Sequence, residues 1–374
     1  MDLTVVSTYR CNSKCQMCYI WQNPTDPKEE VSIETLSKLP GGFDNLNVSG
    51  GEPTLRKDLM EVIDVLYPKA KITEISSNGL HPERLVPIIK KYPKLKVRFS
   101  LEGREINSNR IRGEKDGFQT KVKGLQMLKD AGGQDLGFAL TIQDENVDDL
   151  VWLYEFARDM GVELATSTLH NAWQFHKNDN YFYDRVSVAR KVEGLITAML
   201  KTNNVKNWFR AYLNLGLIKK ILGQDRLIKC TAGSDFIFID PWSDVWACNV
   251  RTDLPMGNLA KQSWQEILDS DVARKSREKV AQCRQNCWMV TTARTAMRSN
   301  IIPMFPKLQP LFWVLENKIK TTLGMDIAFD RYIDYGNVGT SPRVERTSFL
   351  NQTFKAKLQK AADPHYVQGE FFNR

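Results

Sequence analysis

The sequence of 374 residues lacks any run of apolar residues approaching the roughly 20 that span a bilayer. Its first residues also lack the basic segment and the long apolar segment of a secretory signal peptide. No helix-turn-helix, RRM-like or zinc-finger pattern supports nucleic-acid recognition. These absences predict a cytoplasmic protein that binds no nucleic acid.

Positive charge is in modest excess, with a net charge of +8. Residues 291–374 hold 12 Lys and Arg against 7 Asp and Glu, so this tail is basic. A concentrated basic tail favours an anionic partner or an acidic membrane surface. Because these charges are scattered, we interpret the tail as a solvated surface, with membrane-surface contact as the minor alternative.

Cysteine is scarce, and its seven positions are unevenly distributed. They form a group of three and a group of four that lie more than two hundred residues apart: Cys11, Cys15, Cys18, Cys230, Cys248, Cys283 and Cys287. In a cytoplasmic protein such groups indicate metal binding rather than disulfides.

The first half of the chain alternates strand-like and helix-like segments. Six strands are predicted, at residues 3–8, 46–49, 71–76, 96–100, 136–142 and 162–169. Helical patterns lie between them, at residues 32–39, 59–67, 82–92, 120–131 and 147–160. This alternation predicts an α/β fold with a parallel sheet and right-handed crossovers. Six such units fit a partial (β/α)6 TIM-like barrel, in which function lies at the C-terminal ends of the strands.

The pattern changes after residue 178. Residues 183–222 are predicted to be mostly helical, and residues 235–239 and 245–247 to form two strands around a turn. A further helix is predicted to start at Trp264. The chain after Cys287 is basic and less regular, except for an amphipathic helix predicted from Pro310 with one apolar face: Leu311, Val314, Leu315 and Ile319.

The first cysteine group follows the first predicted strand within eight residues, at Cys11, Cys15 and Cys18. Three thiolates at this spacing can ligate three irons of a [4Fe–4S] cube, which normally takes four cysteines. The triplet therefore leaves the fourth iron open to another ligand. A zinc site and an ordinary ferredoxin-like cluster are the alternatives, although structural zinc normally takes four protein ligands.

This Cys-x3-Cys-x2-Cys segment, with Tyr19 directly after it, resembles the signature of the radical S-adenosylmethionine (SAM) superfamily. The segment Gly50-Gly51-Glu52-Pro53 follows the second strand and resembles the family motif that binds the SAM methionyl amine. Glycines let the backbone approach a ligand, and a carboxylate receives an ammonium group. The resemblance also implies SAM contacts near strand ends by Ser77, Asn78, Ser100, Arg112 and Asn146. For each of these, an ordinary turn or solvent-facing residue is the alternative.

The second cysteine group begins with Cys230, a predicted hairpin and Cys248, and ends with Cys283 and Cys287. This order resembles the start of SPASM and twitch domains, which hold auxiliary iron–sulfur clusters. A full SPASM domain carries seven cysteines, so four indicate the twitch type or a reduced SPASM domain with one auxiliary [4Fe–4S] cluster. Structural zinc is the alternative, because four thiolates suit that ion.

The resemblance divides the chain into three predicted parts. Residues 1–178 would form the radical SAM barrel, and residues 179–290 a helical connector with the auxiliary-cluster domain. Residues 291–374 would form a C-terminal extension.

The resemblance implies an enzyme whose reduced [4Fe–4S] cluster cleaves SAM to a 5′-deoxyadenosyl radical that abstracts hydrogen from a substrate. A flavodoxin- or ferredoxin-type protein would donate the electron. Two clusters would use all seven cysteines and leave no thiol to return a hydrogen atom. This favours oxidation, bond formation or rearrangement over epimerisation, unless a tyrosine is the donor. Candidates for proton transfer are His170, His176 and Glu102, against the alternative of ordinary polar or packing residues.

The substrate class is the least constrained inference. No recognition domain is expected before the cysteine triplet, because the triplet begins at residue 11. This favours a carbohydrate-type or other small-molecule substrate. The alternative is a peptide substrate of a RiPP maturase-like enzyme. Two other classes remain open: a non-catalytic iron–sulfur protein and a zinc-stabilised binding protein. The first does not need the Gly50–Pro53 motif, and the second would be colourless.

Overall fold

A computed structural model describes residues 1–299 and 308–339. Six parallel strands form the centre of the fold: β1 (Asp2–Val6), β2 (Phe43–Ser49), β3 (Ala70–Ser77), β4 (Lys96–Ser100), β5 (Asp135–Ile142) and β6 (Glu163–Thr168). They are neighbours in sequence order, as expected of a partial barrel. All six strands predicted from the sequence are confirmed.

Helices connect these strands: α1 (Ile33–Ser37), α2 (Leu59–Leu66), α3 (Val86–Lys91), α4 (Glu105–Arg112), α5 (Gly117–Asp130) and α6 (Leu150–Asp159). Helix α4 was not predicted from the sequence, because its two isoleucines do not form one apolar face. Ile111 is buried, whereas Ile106 is 82% exposed. The helix ends where Gly113 takes a left-handed conformation, with φ 63°.

The two faces of the strands differ in burial, and the less buried face carries polar side chains toward the barrel interior. Leu46 and Val48 of β2 are completely buried, whereas Asn47 and Ser49 between and after them are only partly buried. On β6, Thr166 donates a hydrogen bond to Asn214 of the helical layer, so Ser167 faces the other way. Strand alternation therefore places a row of polar side chains inside the barrel.

The C-terminal half contains α7 (Arg185–Lys201), α8 (Val205–Leu222), β7 (Phe236–Ile239), β8 (Asp244–Trp246), β9 (Pro255–Asn258), α9 (Trp264–Asp269), α10 (Asp271–Ala281), α11 (Val290–Ser299) and α12 (Gln309–Thr322). The predicted hairpin is confirmed as β7 and β8. Strand β7 pairs in parallel with β1, β8 pairs antiparallel with β7, and β9 pairs antiparallel with β8. The hairpin is thus continuous with the barrel sheet, which a local sequence pattern does not indicate.

Helix α11 lies at the N-terminal end of β1. Asp2 is 1% exposed, and its carboxylate accepts hydrogen bonds from Arg294 at 2.8 and 3.0 Å and from Arg298 at 3.0 Å. These ion pairs hold α11 against the N-terminal end of β1. The C-terminal ends of the strands, where function is expected, lie at the opposite end.

Helix α12 confirms the prediction of a helix at Pro310, but of the predicted apolar face only Val314 is fully buried. The structure buries Trp313 and Val314, whereas Leu315 and Ile319 are 44% and 59% exposed. The ring of Trp313 packs edge-on against Tyr212 with centroids 5.5 Å apart. Burial of this larger ring sets the orientation of the helix. Within the described residues, no helix is long and apolar enough to span a bilayer.

Candidate active site

The first cysteine group lies on the loop that follows β1, at the C-terminal end of the sheet. Cys11, Cys15 and Cys18 are all free thiols. The backbone N–H of Cys18 donates to the carbonyl of Cys15 at 3.2 Å, which curls the loop. The loop therefore brings the three sulfurs to one region, as the spacing predicted.

The environment of these thiols opposes ionisation. Burial raises the pKa of the Cys11 thiol to about 12, and burial also raises the pKa of Cys15 and Cys18. The negative charge of Cys15 contributes to the raised pKa of each of the other two, so the three groups are close in space. Buried thiolates of this kind need a cationic partner, and an iron–sulfur cluster supplies one. The donor set thus fits such a cluster.

Gly50 and Gly51 let the loop after β2 lie directly against the cysteine loop. A Cβ on Gly50 would lie 2.6 Å from the Thr8 carbonyl oxygen, and one on Gly51 would lie 2.4 Å from that of Arg10. The Gly51 N–H donates to the Thr8 carbonyl at 2.7 Å. The structure shows that these glycines admit the neighbouring backbone, and their contact with SAM stays a prediction.

Glu52 is completely buried and joins the loops after β2 and β3. One carboxylate oxygen accepts hydrogen bonds from Thr54 and, at 2.9 Å, from the Ser77 hydroxyl. The other accepts from the Asn78 N–H at 2.5 Å. Pro53, directly after it, starts a short 3-10 turn. The structure therefore brings Glu52, Ser77 and Asn78 together, with the carboxylate bonded to protein donors.

Asn78 also reaches the cysteine loop, because its side-chain amide donates to Asn12 Oδ1 at 2.6 Å. Asn146, in contrast, closes the loop after β5: it accepts from the Gln143 N–H and donates to the Thr141 carbonyl at 3.0 Å. Asn146 is completely buried. These hydrogen bonds hold the loop at the C-terminal end of β5. A contact between Asn146 and SAM stays a prediction.

Arg112 and Glu102 form a buried ion pair beside the cysteine loop. The Arg112 guanidinium donates to Glu102 at 2.8 Å, and the second Glu102 oxygen accepts from the Thr141 N–H at 2.8 Å. Burial raises the pKa of Glu102, although Arg112 opposes that rise. The negative charges of Cys15 and Glu102 raise the pKa of Arg112. These contacts favour a positioning role for Glu102 over the predicted proton transfer.

The two predicted histidines lie on the segment after β6 and are both neutral near pH 7. Burial lowers the pKa of His170 to about 3 and that of His176 to about 4. His170 Nδ1 lies 3.1 Å from the Thr168 carbonyl oxygen, and its Nε2 is buried with no hydrogen-bond partner among the described residues. Neutral rings of this kind offer hydrogen bonds but store no proton for acid catalysis.

The segment after β6 also covers the cysteine loop. The Tyr19 N–H donates to the Phe175 carbonyl at 2.8 Å, and the Lys177 ammonium donates to the Tyr19 hydroxyl at 3.1 Å. His176 packs edge-on against the Tyr9 ring, with centroids 5.5 Å apart. Sequence reasoning included Tyr19 but missed Lys177 and Tyr9, which carry no motif signal.

Small hydroxyl side chains line the interior near the C-terminal ends of five consecutive strands. The Ser76 hydroxyl donates to Asn47 Oδ1 at 3.0 Å, and the hydroxyls of Thr141 and Ser167 lie 3.3 Å apart. All members of the row are partly exposed, which indicates an open lumen: Ser49, Ser76, Ser100, Thr141 and Ser167. Of these, sequence reasoning selected Ser100 alone. Polar residues at alternate strand positions were the available signal.

The second cysteine group also converges in space, and all four of its thiols are free. Burial raises the pKa of Cys248 to about 11, and the charges of Cys230 and Cys283 contribute. The pKa of Cys287 is raised by burial and then by Cys248. The Val250 N–H donates to the Cys248 sulfur at 3.3 Å. Among the residues described here, no three His, Cys, Asp or Glu side chains are arranged to hold a single metal ion.

Cationic side chains surround this second group. Arg251 donates to Asp253 at 2.6 and 2.8 Å, and its charge also interacts with the Cys283 thiol. The positive charges of Lys220 and Arg226 act on Cys287, and Arg226 lies over the Trp288 ring at 4.9 Å. Positive charge at this position stabilises thiolates and any cluster of net negative charge that they hold.

Comparison with known proteins gives two family matches. Residues 5–157 match the radical SAM superfamily, and residues 230–288 match SPASM, an iron–sulfur cluster-binding domain. The matches lie within the predicted first and second parts of the chain, whose boundaries stay a prediction. They imply the predicted cofactors: a [4Fe–4S] cluster with SAM for the first domain, and auxiliary iron–sulfur for the second.

Two curated relatives extend beyond the first domain. Mycofactocin maturase MftC of Mycolicibacterium smegmatis is 26% identical over 254 residues, covering 66% of this chain and 63% of the maturase. The subtilosin biosynthesis protein AlbA of Bacillus subtilis is 25% identical over 288 residues, covering 74% of this chain and 61% of AlbA. The match therefore spans less than two thirds of either relative.

Solved structures support the fold. Native anSMEcpe with bound AdoMet and the Cp18Cys peptide has a TM-score of 0.55 at 15% identity, covering 86% of this chain and 96% of that one. Streptococcus suis SuiB bound to the precursor peptide SuiA has a TM-score of 0.53 at 15% identity, covering 74% and 66%. The cysteine loop, the Gly50–Pro53 loop and the two family matches agree, so this chain contains a radical SAM domain followed by a SPASM domain.

Proposed function

We propose that this chain is a radical SAM enzyme that modifies a peptide. The proposal is carried by Cys11, Cys15 and Cys18, three free thiols, buried or half-buried, on one loop at the C-terminal end of β1. They would hold three irons of a [4Fe–4S] cluster and leave the fourth iron to SAM. When bound, the cluster and SAM supply a 5′-deoxyadenosyl radical that abstracts hydrogen from the substrate.

The surrounding residues would hold SAM and orient it. Glu52 fixes the loops after β2 and β3 against each other, so that their backbone would form one wall of the SAM pocket. Arg112, held by Glu102, offers a buried cation to the SAM carboxylate. The hydroxyl row from Ser49 to Ser167 offers neutral donors and acceptors to the ribose or the substrate.

The segment after β6 would limit the access of water. It binds the cysteine loop through Tyr19 and contributes neutral His170 and His176 to the covered region. A reactive radical needs such exclusion, because water and other hydrogen donors compete for it. The proposed role of the two histidines is to offer hydrogen bonds to the substrate.

The peptide substrate rests on relatives rather than on a motif. MftC and AlbA, a maturase and a bacteriocin biosynthesis protein, align over 254 and 288 residues, far more than the first domain contains. SuiB and anSMEcpe, which share the fold, have been solved with peptides bound. The carbohydrate-type substrate expected from the sequence has no such support.

The four cysteines of the SPASM domain would hold an auxiliary cluster. Arg251, Lys220 and Arg226 would favour its reduced, more negative state and so favour electron transfer from the substrate to it. An oxidative modification is the reaction type that fits this arrangement. A flavodoxin- or ferredoxin-type donor for the first cluster stays a prediction, as does tail contact with a membrane surface.

The test is transfer of deuterium. Candidate peptides encoded by short reading frames beside the gene are made in fully deuterated form and incubated with protein, SAM and dithionite. The proposal predicts deuterium in 5′-deoxyadenosine and a peptide product of altered mass. Deuterium drawn only from a deuterated sugar or metabolite pool, with every peptide unchanged, would reassign the substrate class.

A further inference from the structure

A buried pair of charged side chains lies behind the cysteine loop, outside the residues discussed above. Glu114 lies in the corner between α4 and α5, and its side chain is 2% exposed. The completely buried ammonium of Lys121, on α5, donates a hydrogen bond to one of its carboxylate oxygens. Removing two such charges from water is costly, and loss of either partner alone would leave an uncompensated buried charge.

The second carboxylate oxygen of Glu114 faces the cysteine loop. The Ser13 hydroxyl, which is 1% exposed, donates to it at 2.6 Å. Ser13 lies between Cys11 and Cys15 in the sequence. Arg112 contacts the same oxygen through Nε at 3.3 Å. Glu114 therefore links the barrel helix α5 to the middle of the cysteine loop.

The backbone of the same corner holds the loop at two more points. The Gln16 N–H donates to the Ile111 carbonyl at 2.9 Å. Gly113 has φ 63°, and a Cβ there would lie 2.7 Å from the Lys14 carbonyl oxygen. Residues 111–114 thus touch residues 13–16 through a side chain, a backbone hydrogen bond and a close backbone approach. This corner packs against the loop segment that separates Cys11 from Cys18.

We propose that Glu114, with its charge balanced by Lys121, is a positioning residue for the cysteine loop. Its hydrogen bond to Ser13 holds Cys11 and Cys15 at a fixed separation, and Lys121 keeps the carboxylate from repelling the nearby thiolates. The inference rests on the proposed function for the identity of the group that the loop binds. It adds a residue that supports the cluster without touching SAM or substrate.

Two variants separate the hydrogen bond from the charge. Glu114→Gln/Lys121→Met removes both charges but keeps an amide oxygen for Ser13, whereas Glu114→Ala/Lys121→Met removes the acceptor as well. Neither leaves a buried unpaired charge, so both are expected to fold. Glu105→Gln is the matched control, since Glu105 lies on α4, is exposed and contacts Gln119 through its side chain.

The measurement follows the SAM-responsive EPR signal of the reconstituted, reduced full-length protein during exposure to an iron chelator. We expect the Ala/Met variant to lose this signal about fivefold faster than the Gln/Met variant, because one hydrogen bond holding the loop is lost. Equal rates in all four proteins would overturn the positioning role alone. A wild-type protein without any SAM-responsive signal would overturn the proposed function, and this inference with it.

Discussion

Gly51→Ala tests whether the loops after β1 and β2 must lie in contact. The new Cβ would lie 2.4 Å from the Arg10 carbonyl oxygen and 2.8 Å from that of Tyr9, whereas ordinary contact begins at 3.4 Å. Backbone atoms cannot rotate away as a flexible side chain would. The cysteine loop must therefore move by about 1 Å, and a misplacement of that size lowers catalytic rates by about 100-fold.

The same displacement strains two backbone hydrogen bonds, from Gly51 to Thr8 and from Glu52 to Arg10. Overpacking of this kind costs about 1–3 kcal/mol of unfolding free energy. The assay is the rate of 5′-deoxyadenosine formation by reconstituted protein with SAM and dithionite, alongside chemical denaturation. Gly41→Ala is the control, because no atom lies within 4 Å of its Cβ position. A Gly51→Ala protein with wild-type rate and stability would refute the reasoning.

Three further predictions concern titratable groups around the two cysteine sites. Burial lowers the pKa of His176 from 6.5 to about 4. As pH falls, the ring is therefore protonated in the unfolded chain at a higher pH than in the folded chain. The folded state loses stability for this reason between about pH 6.5 and pH 4. His176→Gln should flatten the dependence of unfolding free energy on pH in that window, and an unchanged slope would contradict the assignment. Glu52→Gln should lower the unfolding free energy by about 2 kcal/mol, because the buried carboxylate accepts four hydrogen bonds; Glu83→Gln, on an exposed carboxylate, should not. Arg251→Gln should shift the midpoint potential of the auxiliary cluster to a more negative value in an EPR redox titration, whereas Lys279→Gln, on an exposed side chain, should leave it unchanged.

Local patterns in the sequence were sufficient for the six parallel strands and for both cysteine groups. The strands carry buried apolar residues bounded by turns, and the cysteines occur at the spacing that one loop can close. Helix α4 escaped prediction because its exposed Ile106 and polar neighbours carry no apolar periodicity. Residues whose local pattern agrees with their tertiary environment could therefore be predicted.

Contacts between distant segments could not be predicted. The pairing of β1 with β7 joins residues more than 230 positions apart, and the hydrogen bond from Ser13 to Glu114 spans 101. The motif segment Gly50–Pro53 was identified, but the partner of its glycines is the Thr8–Arg10 backbone, which only the fold brings there. The burial of Trp313 on α12 was also not predicted, because its partner Tyr212 belongs to another helix that is distant in the sequence.

The most direct test of the central claim is a count of iron together with a SAM cleavage assay. Protein purified without oxygen and reconstituted would be assayed for iron, sulfide and 5′-deoxyadenosine, beside the Cys15→Ala variant. The account predicts about eight irons per chain and 5′-deoxyadenosine that disappears in the variant, as expected for two [4Fe–4S] clusters. A colourless protein that forms no 5′-deoxyadenosine would contradict it.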